Sequence, residues 1–449
     1  MGKDLTEGSV LKTIVSVSLP MVVAFTLQST FNIVDAYFVG KLSASALAAV
    51  SISFPIVFLI ISLSTGLGVG STSLIARIVG EKNLEKAGQV AEHAFLLAVA
   101  LSIIFTFVGV ISAGPLFDLM GVESDVRQLG MEYITIILFG SIVIFTVMVG
   151  NSIIQGEGEM HVPMIVMSLS AILNIILDPI FIFTLGMGVR GAAYATVLSR
   201  SVGLLIILLY FLSGKSWIRL AFPRFSFNME YVKGIFYVGV PSSLSNVFMS
   251  IGMFLLTLIV SGFGTEALAA FGVVFRLDSL AILPGLGISV GIVTLVGQNV
   301  GAGRYDRARE MTMKAGLISS VFMSLLGVVF FVFSRDIMAL FNSDPLVIAY
   351  GSSFLRIVTF SYLVVGFSMS ISGAFLGSGH PIPSLLLTLL RVIILSVPLA
   401  YILSSYMGLS GVWYGILVSS IASSVVAIIV FQNHCCRMTR IVSAQQHTP

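Results

Sequence analysis

Along this chain the apolar positions neither alternate nor recur on one face; they run on without interruption. Stretches of 23 to 31 residues occupy about 11–38, 46–76, 87–113, 127–154, 162–185 and 190–212. Six more occupy about 231–261, 267–297, 308–333, 346–376, 382–404 and 411–434. About 20 apolar residues span a bilayer as a helix, and a lone strand cannot satisfy its backbone in lipid. The pattern predicts twelve transmembrane helices and an all-α integral membrane protein.

Composition closes off the alternative of a water-soluble fold. The 449 residues are 57% hydrophobic and 10% charged, with a mean hydropathy of +1.07, against about 25% charged in an average soluble domain. The net charge of +3 says little, but its placement does. With the N-terminus in the cytoplasm, sixteen of the 23 basic residues fall on the inner side, among them Lys3, Lys12, Arg77, Lys82, Lys86, Arg200, Lys215, Arg304, Arg307, Arg309 and Arg437. The outer loops receive Lys41, Arg127, Arg190 and Arg335, and Arg276, Arg356 and Arg391 lie within apolar stretches. The positive-inside rule then puts both termini in the cytoplasm of a multi-pass cell-membrane protein. The first stretch is too long for the core of a cleavable signal and is read as a span. Cys435 and Cys436 are adjacent and staple nothing. They are read as reduced thiols rather than palmitoylation sites, and the Met1-Gly2 start is not read as a lipid anchor.

The chain repeats itself. Pro20 returns as Pro241, Ala46-Leu47-Ala48-Ala49 as Ala267-Leu268-Ala269-Ala270, and Gly66 and Gly70 as Gly287 and Gly291, each 221 positions on. Gly156-x-Gly158 matches Gly377-x-Gly379 at the same separation, and after one deletion Met187-Gly188 matches Met407-Gly408 at 220. Two six-helix lobes follow, residues 1–221 and 222–449, with the polar break Ser213–Asn228 as linker. Six is even, so both copies enter the bilayer in one direction and are related by a pseudo-two-fold axis along the membrane normal, as in many secondary transporters.

A charge inside a bilayer costs several kcal/mol and marks function. Asp35, Asp178 and Asp278 qualify. Asp35 shares a polar stripe with Gln28 and Asn32, and Asn174 stands one turn before Asp178, so their side chains point the same way. A carboxylate beside an amide oxygen suits a hard cation, and a desolvated aspartate can exchange protons near neutral pH. In the second copy Leu256 stands opposite Asp35, which places ion coupling in the first. Arg276 and Asp278 are two residues apart on different helix faces, so each is expected to have a partner on another helix, as are Arg356 and Arg391. The glycine clusters at 66–70 and 285–287 are read as close helix contacts or bends, and Pro20 and Pro241 as hinges. His93, His161, His380, His434 and His447 lack metal-ligand spacing, and no nucleotide-binding or catalytic motif appears. No enzyme activity, cofactor or nucleic-acid partner is expected.

With two six-helix halves, a proline-bent first helix ending in Asp35-Ala36-Tyr37-Phe38-Val39-Gly40, and Gln155-Gly156-x-Gly158 after the fourth span, the chain resembles the multidrug and toxic compound extrusion (MATE) family. Asp35, Asn174, Asp178 and Thr196 resemble the N-lobe cation site of its bacterial and archaeal DinF-like branch, and Gln28, Tyr133 and Asn151 match polar positions lining that lobe's cavity. The resemblance implies antiport: Na+ or H+ enters at Asp35, Asn174, Asp178 and Thr196, the first helix bends at Pro20, and amphipathic, often cationic, compounds leave. It implies a monomer in contact with membrane lipid. Other branches of the family carry an acidic site in the C-terminal half; here its only deep carboxylate is Asp278, and no second ion site is expected. A lipid-linked oligosaccharide flippase of the same superfamily would bring extra helices and a more basic cavity, and a receptor or scaffold would bring large soluble parts; neither is seen.

Overall fold

Every predicted span is helical in the structure, a computed structural model that describes residues 4–446, with side chains as far as residue 435 apart from that of Arg224. Expectations that rest on Met1-Gly2, Lys3, Arg437, His447 and the side chain of Cys436 lie outside these residues. In the first half the helices are α1 (Val10–Leu42), α2 (Ala44–Gly80), α3 (Leu84–Leu119), α4 (Ser124–Phe139), α5 (Ser141–Gly156), α6 (His161–Pro179) and α7 (Val189–Leu212). In the second they are α8 (Met229–Ser261), α9 (Thr265–Gly301), α10 (Tyr305–Val332), α11 (Ser334–Phe341), α12 (Pro345–Val358), α13 (Tyr362–Gly377), α14 (Pro381–Leu389), α15 (Val397–Met407) and α16 (Leu409–Gln446).

Eleven of the spans read directly as membrane-crossing, and the twelfth is α4 with α5, bent by 46°. The bend falls at Gly140-Ser141, a pair of the kind that kinks helices. The fifth span of each half is loosened by a π-helical stretch, Ile180–Thr184 after α6 and Leu390–Ser396 after α14. At the first of these Pro179 lacks the N–H that would continue the ladder. The short α11 was not predicted, because Ser334-Arg335-Asp336 interrupts the apolar run.

The compact units do not coincide with the repeat boundary at 221/222. One holds Val23–Ser243; the other holds Leu5–Val22 with Leu244 onward. The chain changes unit two residues after each of Pro20 and Pro241. Glycine surfaces explain what each exchanged segment packs on. Within the first unit a Cβ on Gly66 would stand 2.6 Å from the Gly239 carbonyl oxygen, and one on Gly70 2.2 Å from that of Ile235. Ser243 donates to the Ser62 carbonyl at 3.0 Å, and Ser62 returns a bond to the Ser243 carbonyl at 3.2 Å. Within the second unit a Cβ on Gly287 would meet the Val22 nitrogen at 2.7 Å. The repeated glycine pairs are thus close helix contacts, one of the two roles expected of them; small residues permit such approach where lipid gives no hydrophobic drive to association.

Each unit has its own core. The first buries Phe117, Ile134 and Phe145 completely. The second stacks Phe271, Phe354 and Trp413, with the Phe354 and Trp413 rings 4.1 Å apart. The Ser213–Asn228 segment is strapped down by three acceptors on the first unit. Buried Glu157 accepts from the Tyr210 and Ser216 hydroxyls, both at 2.6 Å, and from the backbone N–H groups of Trp217 and Ile218. Glu92 accepts from Ala221 N–H. His93 donates from Nδ1 to the Gln89 carbonyl and accepts at Nε2 from Asn228 N–H at 2.8 Å, among Phe225, Phe227 and Tyr231.

Candidate cation site

The polar residues singled out by sequence converge inside the first unit. On α6, Asn174 and Asp178 are one turn apart and both almost fully buried. With the Asn174 amide set so that both its ends are paired, its nitrogen donates to Asp178 Oδ2 at 3.0 Å. Its oxygen accepts from the Thr196 hydroxyl at 3.3 Å and the Thr196 backbone N–H at 3.1 Å. Thr196 is on α7, so this relay ties the two helices together. Asp35 on α1 sits against Asp178, carboxyl to carboxyl.

Two oxygens of this group, Asp35 Oδ1 and Asp178 Oδ1, are buried with no hydrogen-bond partner among the described residues. A buried carboxylate oxygen without a donor is costly, and two side by side repel. A cation or a shared proton between them removes both penalties. The donor set is two carboxylates, an amide oxygen and a hydroxyl, all hard oxygens of the kind that suit an alkali cation as well as a proton.

Tyr133 on α4 is buried and within electrostatic reach of Asp35 and Asp178. Asn151 on α5 is also buried, its carbonyl oxygen without a hydrogen-bond partner among the described residues. Gln28 is half-buried on α1 and makes no hydrogen bond to the quartet. Pro20 is in α1 on the stretch that belongs to the second unit.

One residue needs a correction. Arg200, assigned to the inner loops by sequence, is at the midpoint of α7, within electrostatic reach of Tyr133. Its place is legible in the sequence, since it follows Thr196 by one helical turn and lies within the apolar run 190–212. The basic excess on the inner side survives its removal. In the second unit Asp278 adjoins Tyr362 on α13 and Arg391 in the π-helical stretch. Arg356 donates to Ser334 Oγ at 2.9 Å, and Arg276 is exposed. An expected partner on another helix is thus found for Arg356, while Asp278 and Arg391 are within electrostatic reach of each other.

A duplicated all-helical membrane protein with a buried carboxylate pair in one copy has the architecture of a secondary transporter. The MatE family model matches residues 20–180 and 241–402, and the chain belongs to that family. It is 27% identical over 430 residues to the probable multidrug resistance protein YpnP of Bacillus subtilis, covering 96% of each chain. It is 27% identical over 436 residues to the FAD transporter of Shewanella oneidensis, again covering 96% of each. An outward-facing multidrug resistance MATE family transporter of the MOP superfamily superposes with a TM-score of 0.94 at 33% identity, over 98% of this chain and 99% of that one.

Proposed function

We propose that this protein is a secondary active multidrug efflux transporter that exchanges Na+ or H+ for organic compounds across the cell membrane, acting as a monomer with both termini in the cytoplasm. The observation that carries the reading is the pair of unpartnered carboxylate oxygens on Asp35 and Asp178 inside a membrane-embedded unit. Relatives named as a multidrug resistance protein and as a FAD transporter support an organic cargo. The excess of inner Lys and Arg supports the orientation.

Coupling is assigned to the first repeat module, residues 1–221. Asp35 and Asp178 supply charge to the ion, and Asn174 and Thr196 supply neutral oxygens and hold Asp178 in place. Gln28, Tyr133 and Asn151 line the space the organic substrate occupies. An exchanger needs negative coupling between its two ligands. Here it arises because an incoming cation neutralises the carboxylates that would attract a cationic substrate, while Pro20 lets α1 bend as Asp35 moves. The membrane supplies the driving force, and no cofactor is required.

The test is transport in proteoliposomes with sodium and proton gradients imposed separately. Dye movement against its own gradient, driven by either ion, is the expected result. Movement that ignores both gradients sinks the reading.

A further inference from the structure

Arg200 places a permanent positive charge halfway through a membrane helix, where insertion of an arginine costs about 2.5 to 3.5 kcal/mol. Such a residue faces protein or water and has a partner. Its direction follows from the helix period. Ala193, Thr196, Gly203 and Ile207 lie at spacings of three, four and seven from Arg200 and share its face; all are buried except the half-buried Thr196. Tyr194, Leu198, Leu205, Leu209 and Leu212 form the exposed stripe on the opposite side. Arg200 is therefore turned away from lipid, and is itself half-buried.

No described residue satisfies it. Arg200 has no ion pair and no hydrogen bond among the described residues. The carboxylates of the cation site are not its counter-charge, since among the described residues no ion pair joins Arg200 to Asp35 or Asp178 and the titratable group within its electrostatic reach is Tyr133. Tyr133 adjoins both groups of charge, and Thr196, one turn from Arg200, connects through Asn174 to Asp178. The repeat places Ser420 at the matching position of the second half, so the arginine is particular to the half with the acidic site. A guanidinium with no acceptor among the described residues and a carboxylate pair are thus set on either side of Tyr133, which is within electrostatic reach of both.

We propose that Arg200 recognises an anionic group on the transported molecule and that the preferred cargo is zwitterionic: its cationic end lies toward Asp35 and Asp178, and its carboxylate, sulfonate or phosphate end lies on Arg200. The proposal rests on the export reading for the identity of the site but adds the charge class of the substrate. It also preserves exchange, because a cation entering at Asp35 and Asp178 displaces only the cationic end.

Rhodamine B, a zwitterion through its free carboxylate, and its ethyl ester, a cation differing at that group alone, separate the terms. Their binding to the purified full-length protein is measured by fluorescence anisotropy at equilibrium, with no ion gradient. A charge-assisted hydrogen bond of ordinary strength gives the acid a preference of about tenfold over the ester. Arg200→Gln brings the two within about twofold while the ester's own affinity stays, and Arg200→Lys keeps part of the preference. Equal binding of the two dyes by the wild-type protein overturns the proposal, and so does a preference that persists in Arg200→Gln. The wild-type comparison needs no variant to fold. A preserved preference in protein that fails gradient-driven transport sinks the exchange reading and leaves this one standing. Coupled transport without a preference does the reverse.

Discussion

Asn174 donates to Asp178 across one turn of α6 and at its other end accepts from Thr196 on α7. One amide thus fixes both the orientation of a buried carboxylate and the spacing of two helices. Asn174→Ala removes all three bonds of the amide and leaves Asp178 without its donor, a loss of about 1–3 kcal/mol. The expected outcome is a lower apparent Tm in detergent together with ion-driven dye transport reduced at least several-fold. Transport at the wild-type level would separate Asn174 from the site.

Asp35→Asn keeps the shape of the side chain and removes its charge. Dye efflux from cells is expected to stop while protein abundance in the membrane is unchanged, as measured by accumulation of a fluorescent cation and by immunoblot. Full efflux would remove Asp35 from the coupling mechanism.

The glycine surfaces predict a graded packing penalty. At Gly287 a methyl group meets the Val22 nitrogen and Cα at 2.7 and 2.9 Å, backbone atoms that cannot rotate away, whereas at Gly272 it meets nothing within 4 Å. Gly287→Ala is expected to lose about 1–3 kcal/mol of stability by overpacking, and Gly272→Ala to lose none. Thermal unfolding of the two variants side by side gives the comparison.

Burial holds the Glu157 carboxyl above its ordinary value of 4.5, despite the bonds it accepts from Ser216, Tyr210, Ile218 and Trp217. A carboxyl whose folded value is raised binds its proton more tightly in the folded state. Its contribution to stability is full below the unfolded value and declines as pH rises through the folded one. Wild-type protein is therefore expected to lose apparent Tm as pH climbs from about 4.5. Glu157→Gln, which can still accept from the loop and donate to Tyr210, is expected to flatten that part of the profile. An identical slope in both proteins would show that other groups set it.

His93→Ala tests the strap on the linker. It removes the acceptor of Asn228 N–H and the ring at the centre of Phe225, Phe227 and Tyr231. Faster proteolysis within 213–228, with little change in the rate of cleavage elsewhere, is the expected result.

Much of this molecule was legible in one dimension. The apolar runs determined the spans, because about 20 uncharged residues in sequence have one way to satisfy their backbone in lipid. The 221-residue register determined the duplication, and the loss of Asp35's counterpart to Leu256 determined that the two copies are chemically unequal. The i,i+4 spacing of Asn174 and Asp178 already set them on one face.

Only tertiary structure decided the rest, because it depends on which helix faces which. Sequence spacing could not show that Thr196 closes the relay from another helix, or that Asp35 and Asp178 leave one oxygen each without a partner among the described residues. Nor could it show that the linker's backbone is held by Glu157, Glu92 and His93. The exchange of the segments around Pro20 and Pro241 between compact units rests on glycine surfaces whose partners lie more than 150 residues away. Arg200 shows the division most sharply: composition made it one more basic residue near the inner side, whereas packing turns it inward among buried side chains, where an arginine must find an anion.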